Sequence, residues 1–318
     1  MTPEEQVLYF ADNYDIIAKH HLIGTTPKVF LGSKDGRVCR YCGKSEGEVP
    51  FKITAHAIPE FTGNKTLIDY EECDLCNQLF SRVVEDHLAN YLGAFRTVAQ
   101  LHGKKGVPTH VSNDGKSRIS MEKTGMQMTS YDEDPIFDLD LESKKMTIKA
   151  FRKPYVKMAA FKCLAKMALA IMPREDLKDC QHLVEWIRKE THTFESFPYK
   201  PLNALVQFTP GPAPYKGVHL FLLKRRTAEK PMPYMYFIVA FANTLFQLVL
   251  PMPFKDKEFM GKPMNLAFFP VPFDETHKYG PTTRKDIDFS SPEVTRDEYQ
   301  PIVMGFERVE ATEATLTP

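Results

Sequence analysis

Neither sign of charge is in excess in this sequence, because 41 Lys and Arg side chains stand against 41 Asp and Glu. The chain as a whole therefore has no electrostatic preference for nucleic acid. It also lacks a long unbroken apolar run. A long uncharged stretch, residues 233–254, contains Asn243, Thr244 and Gln247, and a Pro-Met-Pro sequence lies at each end. This pattern predicts two buried strands joined by a turn rather than a membrane span.

Repeats and biased composition are missing too. The sequence shows no internal repeat, and its composition excludes collagen-like, coiled-coil and disordered proteins. Its 318 residues, 43% of them hydrophobic, are enough for one large domain or two ordinary ones. The acidic start, Met1–Glu5, is not followed by an apolar stretch with a cleavage site, which argues against secretion. We therefore expect a cytoplasmic protein.

The cysteines are few but informative. Six cysteines are too few for a disulfide scaffold in a chain of this size, and a cytosolic protein keeps them reduced. Four of them form two CxxC pairs, Cys39–Cys42 and Cys73–Cys76. Two such pairs supply the four soft ligands of a tetrahedral Zn²⁺ ion, so we predict a structural zinc site. The alternative is four core cysteines at chance spacing. Cys163 and Cys180 are interpreted as ordinary buried thiols.

The spacing of apolar residues predicts an α+β protein in two parts. The first part, residues 1–102, has an opening helix over 4–20, strands at 51–55 and 66–68, and a long helix that runs from Asp74 to a cap at Gly93. A loop or linker is expected at 103–118. The second part, residues 119–307, combines helices over 155–171 and 175–190 with a mainly antiparallel sheet. Its predicted strands are 119–121, 136–141, 146–151, 204–208, 218–223, 234–241, 245–250 and 266–271. Residues 308–318 are predicted to form a disordered tail.

Three short motifs lie between and directly after the cysteine pairs. They read Ala-His-Ala-Ile-Pro-Glu (55–60), Gly-Asn-Lys-Thr-Leu (63–67) and Cys-Asp-Leu-Cys-Asn (73–77). In this order and spacing the segment resembles the HNH endonuclease family, and within it a bacterial subgroup with a structural zinc and Ile-Pro-Glu after the histidine. The resemblance covers roughly residues 36–95, less than a third of the chain. It implies a ββα-metal fold and metal-dependent hydrolysis of DNA phosphodiester bonds.

The resemblance also implies roles for three residues. His56 matches the general base that deprotonates the attacking water, which requires a neutral imidazole with a pKa near the working pH. Asn64 matches an asparagine that braces the loop and helps to orient the histidine. Asn77 matches a ligand of the catalytic cation, and an oxygen donor with open water positions suits Mg²⁺ or Mn²⁺. The plain alternatives are a core or surface histidine, a turn residue and a helix-start residue, respectively.

Two positions depart from the family pattern. Ala55 stands where many members carry an Asp or His that also binds the cation, and Ser81 stands where some carry a second histidine. Glu85 and His87 lie about 12 and 15 Å from Asn77 along an ideal helix, too far to share its ion directly. The departures leave a second interpretation open, in which the zinc fold is a catalytically inactive scaffold that binds DNA or protein.

Positive charge is concentrated after residue 100, while the first 100 residues hold more acidic than basic side chains. These clusters are either solvated faces or contacts to a phosphate backbone. They comprise Lys104, Lys105, Lys116, Arg118, Lys123, Lys144, Lys145, Lys149, Arg152, Lys153, Lys157, Lys162, Lys166, Lys216, Lys224, Arg225 and Arg226.

The substrate and partners are inferred from the same resemblance. Without a helix-turn-helix or another sequence-reading motif, double-stranded DNA would be cut with low or externally directed specificity. The resemblance also implies an effector of bacterial anti-phage defence. A homodimer, and an activating ligand or partner protein for the second part, are left open.

Overall fold

The computed structural model of the chain describes residues 1–133, 135–193, 201–227, 232–259, 266–270 and 279–309. Its helices are α1 Pro3–Asn13, α2 Asp74–Phe80, α3 Asp86–Leu92, α4 Phe95–Val98, α5 Lys157–Ile171, α6 Arg174–Leu177 and α7 Gln181–Arg188. The first nine strands are β1 Tyr14–Leu22, β2 Val29–Leu31, β3 Ala55–His56, β4 Leu67–Asp69, β5 His110–Val111, β6 Arg118–Glu122, β7 Gly125–Thr129, β8 Phe137–Asp140 and β9 Lys145–Phe151. The others are β10 Tyr155–Val156, β11 Asn203–Phe208, β12 Tyr215–Arg225, β13 Met235–Ala242, β14 Thr244–Val249, β15 Thr283–Asp288, β16 Val294–Thr295 and β17 Tyr299–Gly305.

A six-stranded antiparallel sheet organises the second part of the chain. Its strand order is β1-β12-β13-β14-β11-β15. The strands β13 and β14 are the two buried strands predicted within 233–254, and every residue in them is buried. The described residues also form three smaller sheets, with the strand orders β8-β9-β17, β5-β6-β7 and β2-β4-β3, and the pair β10-β16. The predicted α+β class with a mainly antiparallel sheet is confirmed.

The opening helix is shorter than predicted. A capping box formed by Thr2 and Glu5 starts α1, but the helix ends at Asn13 rather than at residue 20. The next nine residues form β1, which pairs with β12 from Tyr14 opposite Arg225 to Leu22 opposite Val218. Pairing with a distant strand here outweighs the local helical spacing. The first 22 residues thus contribute an element to the large sheet, and the predicted domain ranges stay a prediction.

Other predicted boundaries also change. The predicted strand over 51–55 shrinks to Ala55–His56, because the backbone N–H groups of Lys52 and Ile53 donate to the Asp74 carboxylate at 3.1 and 2.9 Å instead of to a strand. The predicted linker 103–118 contains β5, and the predicted helix over 175–190 is divided into α6, a 3₁₀ turn at 178–180 and α7. Residues 266–270 form no strand; residue 271 and the tail from 310 onward lie outside the described residues.

Helix α5 runs through the centre of the molecule. All its residues after Lys157 are buried, including Lys162 and Lys166, which were predicted to lie on a solvated or DNA-facing surface. That interpretation is wrong for these two lysines. The core around α5 is continuous and draws on both parts of the chain, with Phe80 and Val84 in the same cluster as Phe289. No helix among the described residues is long and apolar enough to cross a membrane.

Candidate metal centre and active site

The four paired cysteines meet at one point. Their Sγ atoms all lie within 4.8 Å of one another, and those of Cys42 and Cys73 are 3.8 Å apart. A tetrahedral Zn²⁺ ion with bonds of about 2.3 Å requires sulfur–sulfur distances of about this size. Among the described residues, this is the only group of three or more His, Cys, Asp or Glu side chains that could hold a metal ion. The cluster is therefore compatible with the predicted zinc site.

Each half of the centre has a local cause. After Cys42, Gly43 adopts a positive φ of 72°, and its N–H donates to the Cys39 carbonyl at 2.9 Å, which closes the first turn. The second pair lies at the start of α2, where Cys73 is the N-cap and its carbonyl accepts from Asn77 N–H at 2.9 Å. The tight turn and the helix start thus aim two thiols each at the same point.

Arg40, between the first two cysteines, fastens this centre to α5. Its guanidinium donates to the carbonyl oxygens of Leu169, Ala170 and Met172, with distances of 2.6 Å to Ala170 and 3.3 Å to Met172. It also pairs with the Glu71 carboxylate. The last carbonyls of a helix have no partner within the helix, so Arg40 satisfies groups that would otherwise be buried without one.

His56 lies at the end of β3, opposite Ile68 of β4. Its side chain is 17% exposed, and its Nε2 atom lies 3.7 Å from Oε1 of Glu60. Its Nδ1 atom is buried and has no hydrogen-bond partner among the described residues. The imidazole is therefore reachable from solvent on its Nε2 side, next to a carboxylate.

The charges around His56 favour the neutral imidazole. Burial is the main cause that lowers the pKa of His56 below its ordinary value, and the ammonium groups of Lys65, Lys104 and Lys166 lower this pKa further, whereas Glu60 opposes them. A histidine with a lowered pKa is unprotonated at neutral pH. This is the protonation state that a general base requires.

Asn64 is fully buried and makes four hydrogen bonds. Its Nδ2 donates to the carbonyl oxygens of Ile58 and Leu67 at 2.8 and 3.1 Å, and its Oδ1 accepts from the N–H groups of Thr66 and Leu67 at 3.1 and 2.9 Å. These bonds tie together the two ends of the loop that joins β3 to β4. None of them reaches the His56 imidazole, so any effect of Asn64 on the histidine passes through the loop.

Asn77 lies on α2 with a half-buried side chain. Among the described residues no hydrogen bond involves this side chain, so its oxygen is available to a ligand. The helix continues as a π-helical turn, Ser81–Glu85, before α3 begins. Glu85 ends this turn, with its Oε1 3.8 Å from the Lys166 ammonium. The Nδ1 atom of His87 accepts a hydrogen bond from the Val156 N–H of β10 at 3.0 Å, so this side chain links α3 to β10.

Several side chains near His56 were not predicted to act there. Lys65 donates to Glu60 at 2.7 Å and to the carbonyl of Gly103 at 3.2 Å. Lys166 reaches the site from α5. In the sequence, only the apolar residues around it indicated that this lysine is buried. It and Lys162 stand four residues apart in a run of Ala, Met, Leu, Phe and Cys that leaves no polar helix face. Such a setting is typical of a buried, paired lysine.

The family comparison agrees with this geometry. Residues 39–92 match the family model described as HNH endonuclease, a range that includes all four cysteines, His56, Asn64 and Asn77. The match therefore identifies an HNH endonuclease domain in this segment, which spans 54 of the chain's 318 residues. No curated protein and no solved structure shows significant similarity to the chain.

Proposed function

We propose that the protein is an HNH endonuclease that hydrolyses DNA phosphodiester bonds, with His56 as general base and Asn77 as ligand of a catalytic Mg²⁺ or Mn²⁺ ion. The observation that carries this proposal is the half-buried His56 imidazole, which has a lowered pKa and lies beside Glu60 within an HNH domain. A structural Zn²⁺ ion on Cys39, Cys42, Cys73 and Cys76 would hold the domain together.

The chemistry assigns a task to each group at the site. His56 Nε2 takes a proton from water, whose oxygen attacks the phosphorus as the bond to the leaving oxygen breaks. The Glu60 carboxylate stabilises the imidazolium that forms, and the ammonium groups of Lys65 and Lys104 favour the negative charge on the phosphate. When bound by Asn77, water and phosphate oxygens, a divalent cation would supply charge neutralisation at the phosphate.

A lysine turn next to the site supports DNA as the substrate. Gly103 and Gly106 exchange backbone hydrogen bonds of 2.9 and 3.3 Å, which close a tight turn with exposed Lys104 and Lys105 at its tip. Lys65 donates to the Gly103 carbonyl and so holds this turn at the His56 site. Two ammonium groups at this place suit the phosphates that flank the bond to be cut.

An inactive scaffold is the second candidate, and one observation favours it. Apart from the four cysteines, no group of three or more His, Cys, Asp or Glu side chains is close enough to hold a metal ion within the described residues. Ala55, where many relatives carry a ligand, offers no donor. In this reading the zinc fold binds DNA or protein without cutting.

Plasmid cleavage separates the two candidates. Purified wild type, His56→Ala and the control His20→Ala, a histidine on the edge strand β1, are compared at low salt with Mg²⁺, Mn²⁺ or EDTA. We expect nicking or linearisation by wild type and by the control, with loss in His56→Ala and in EDTA. DNA binding without cleavage by folded, zinc-loaded wild type would support the scaffold instead.

The biological role is proposed on the resemblance alone. A nuclease of low sequence specificity endangers its host, so control by an activating ligand, a partner protein or homodimerisation accords with a role in anti-phage defence. Plaque counts on bacteria that express wild type or His56→Ala test this role. Equal plaque numbers in both strains would contradict it.

A further inference from the structure

Lys166 brings a positive charge from the second part of the chain into the HNH domain. Its side chain is fully buried, and its ammonium lies 2.9 Å from Oε2 of Glu72 and 3.8 Å from Oε1 of Glu85. It also donates a long hydrogen bond of 3.4 Å to the backbone carbonyl of His56, 110 residues away in the sequence. The ring of Phe80 lies 5.7 Å from the ammonium.

These contacts join three separate segments of the HNH domain. His56 ends β3, Glu72 precedes the zinc-site cysteine Cys73, and Glu85 closes the π-helical turn. A buried ammonium is costly unless it is paired, and a pair with one partner removed is strongly destabilising. The ammonium of Lys166 therefore sets the relative positions of the strand end, the second cysteine pair and the helix.

Lys162 shows that burial alone does not account for these contacts. It lies one turn earlier on α5 and is equally inaccessible, but its ammonium donates to the carbonyl oxygens of Lys189 and Thr191 at 3.0 and 2.9 Å and lies over Trp186. Lys162 thus caps the end of α7. The two lysines share helix, burial and chemistry, but only Lys166 contacts the strand that carries His56.

We propose that Lys166 is a positioning residue of the nuclease site, by which the second part of the chain completes the HNH domain and holds His56 in its working place. The proposal rests on the proposed nuclease function for its catalytic consequence, but its structural content is independent of turnover. Small displacements of a catalytic group reduce rates strongly, so a fixed backbone at His56 has a direct kinetic value.

The charge of Lys166 has a second effect. Burial is the main cause that lowers the pKa of His56; Glu60 raises this pKa, and Lys65, Lys104 and Lys166 lower it further. Removal of the Lys166 charge is therefore expected to raise the pKa of His56. Repacking of apolar side chains elsewhere along α5 has no such consequence.

The test compares Lys166→Met with the matched control Lys162→Met. Because Lys166→Met leaves Glu72 without its cation, the double variant Lys166→Met/Glu72→Gln removes both charges of the closest pair. The pKa of His56 is measured by NMR on full-length protein with labelled histidine, with His56→Gln to assign the signal. Zinc content, Tm, and kcat and KM for plasmid cleavage are measured on the same samples.

We expect both Lys166 variants to retain zinc and to lose about tenfold or more in kcat, with KM changed less than about twofold. The pKa of His56 should rise in Lys166→Met, which removes only the positive charge. Lys162→Met should leave the pKa of His56 and kcat close to wild type. The proposal would be overturned if a folded Lys166 variant kept the wild-type pKa of His56 and the wild-type kcat. It would also be overturned if Lys162→Met changed these two quantities equally.

Two further outcomes are distinguishable. If both Lys166 variants fail to fold while Lys162→Met folds, Lys166 is a core anchor rather than a positioning residue, and the proposal is wrong. If wild type cuts no DNA, the proposed nuclease function fails, but the NMR measurement still decides whether Lys166 controls His56.

Discussion

The Nε2 atom of His56 lies 3.7 Å from a carboxylate oxygen of Glu60, whose second oxygen accepts a hydrogen bond from Lys65 at 2.7 Å. The imidazole, the carboxylate and the ammonium therefore form a short row of alternating charge when the histidine is protonated. Glu60 is the first residue of the 3₁₀ turn Glu60–Thr62, and its carbonyl accepts a hydrogen bond from the Gly63 N–H that closes this turn. In this arrangement the Glu60 carboxylate raises the pKa of His56 against the effect of burial.

Replacement of Glu60 by Gln should shift the pH dependence of cleavage. Glu60 raises the pKa of His56 against the effect of burial, so its removal lowers this pKa further. Since the base must be neutral, the acidic limb of the kcat/KM profile should move to lower pH, and the plateau should fall because the imidazolium loses its partner. The profile of plasmid cleavage between pH 4 and pH 9 is the measurement. Glu133→Gln, an exposed site, is the control; a limb that moves to higher pH would contradict the reasoning.

Loss of a zinc ligand should unfold the HNH domain. Cys76→Ser removes one of four thiolates, and structural zinc sites contribute directly to folding free energy. We expect zinc to fall from about one ion per chain to nearly none, with a clear drop in Tm. Metal analysis and thermal melting are the measurements. Cys163→Ala, which changes a buried cysteine outside the cluster, should keep its zinc. Full zinc retention in Cys76→Ser would refute the assignment.

Asn64→Ala should destabilise the protein by about 3 kcal/mol. The substitution leaves two backbone N–H groups and two carbonyl contacts without their partner in a fully buried loop, at about 1–3 kcal/mol for an unsatisfied group. Urea unfolding gives the free energy. Asn90→Ala removes one exposed hydrogen bond, to Pro154, and should cost less than about 1 kcal/mol. Equal effects of the two substitutions would show that the Asn64 network adds little.

The lysine turn should account for part of the salt dependence of DNA binding. Lys104→Ala/Lys105→Ala removes two exposed charges, so the slope of log affinity against log salt should fall by about 2. Affinity at low salt should decrease, while kcat at saturating DNA changes less. Fluorescence anisotropy over a salt series is the measurement. Lys19→Ala/Lys28→Ala, two exposed lysines outside the basic clusters, is the charge-matched control, and an equal loss of slope there would indicate non-specific attraction only.

Local sequence patterns predicted much of this molecule. The two CxxC pairs predicted the cluster of four cysteines, and the family match to residues 39–92 supports the resemblance to HNH endonucleases, because both depend on short spacings within one segment. The long apolar stretch likewise predicted the hairpin β13–β14. Distant pairing was not predictable in this way. The strand β1 follows a helix and finds its partner in β12, and nothing within residues 14–22 indicates that partner.

In the candidate active site, too, local motifs were predictable from the sequence and distant contacts were not. His56, Asn64 and Asn77 were selected by motif, and their roles stay predictions. Lys166 was interpreted as one of many surface charges, since a count of basic residues does not distinguish a solvated lysine from a buried one. The available signal was that Lys166 stands in a run of apolar residues that leaves α5 without a polar face. Its pairing with Glu72 and Glu85 depends on how α5 packs against the HNH domain, and this packing is established only in the folded protein.

Arg40 has a practical consequence for anyone who wishes to transplant the HNH domain. A fragment that stops at residue 102 keeps this guanidinium but loses the carbonyl groups at the end of α5 that it binds. The same cut leaves Glu72 without Lys166. An inactive fragment would therefore say nothing about the intact protein. A graft of the HNH domain into another protein must carry α5 along, as a second, non-contiguous piece of the same folded unit.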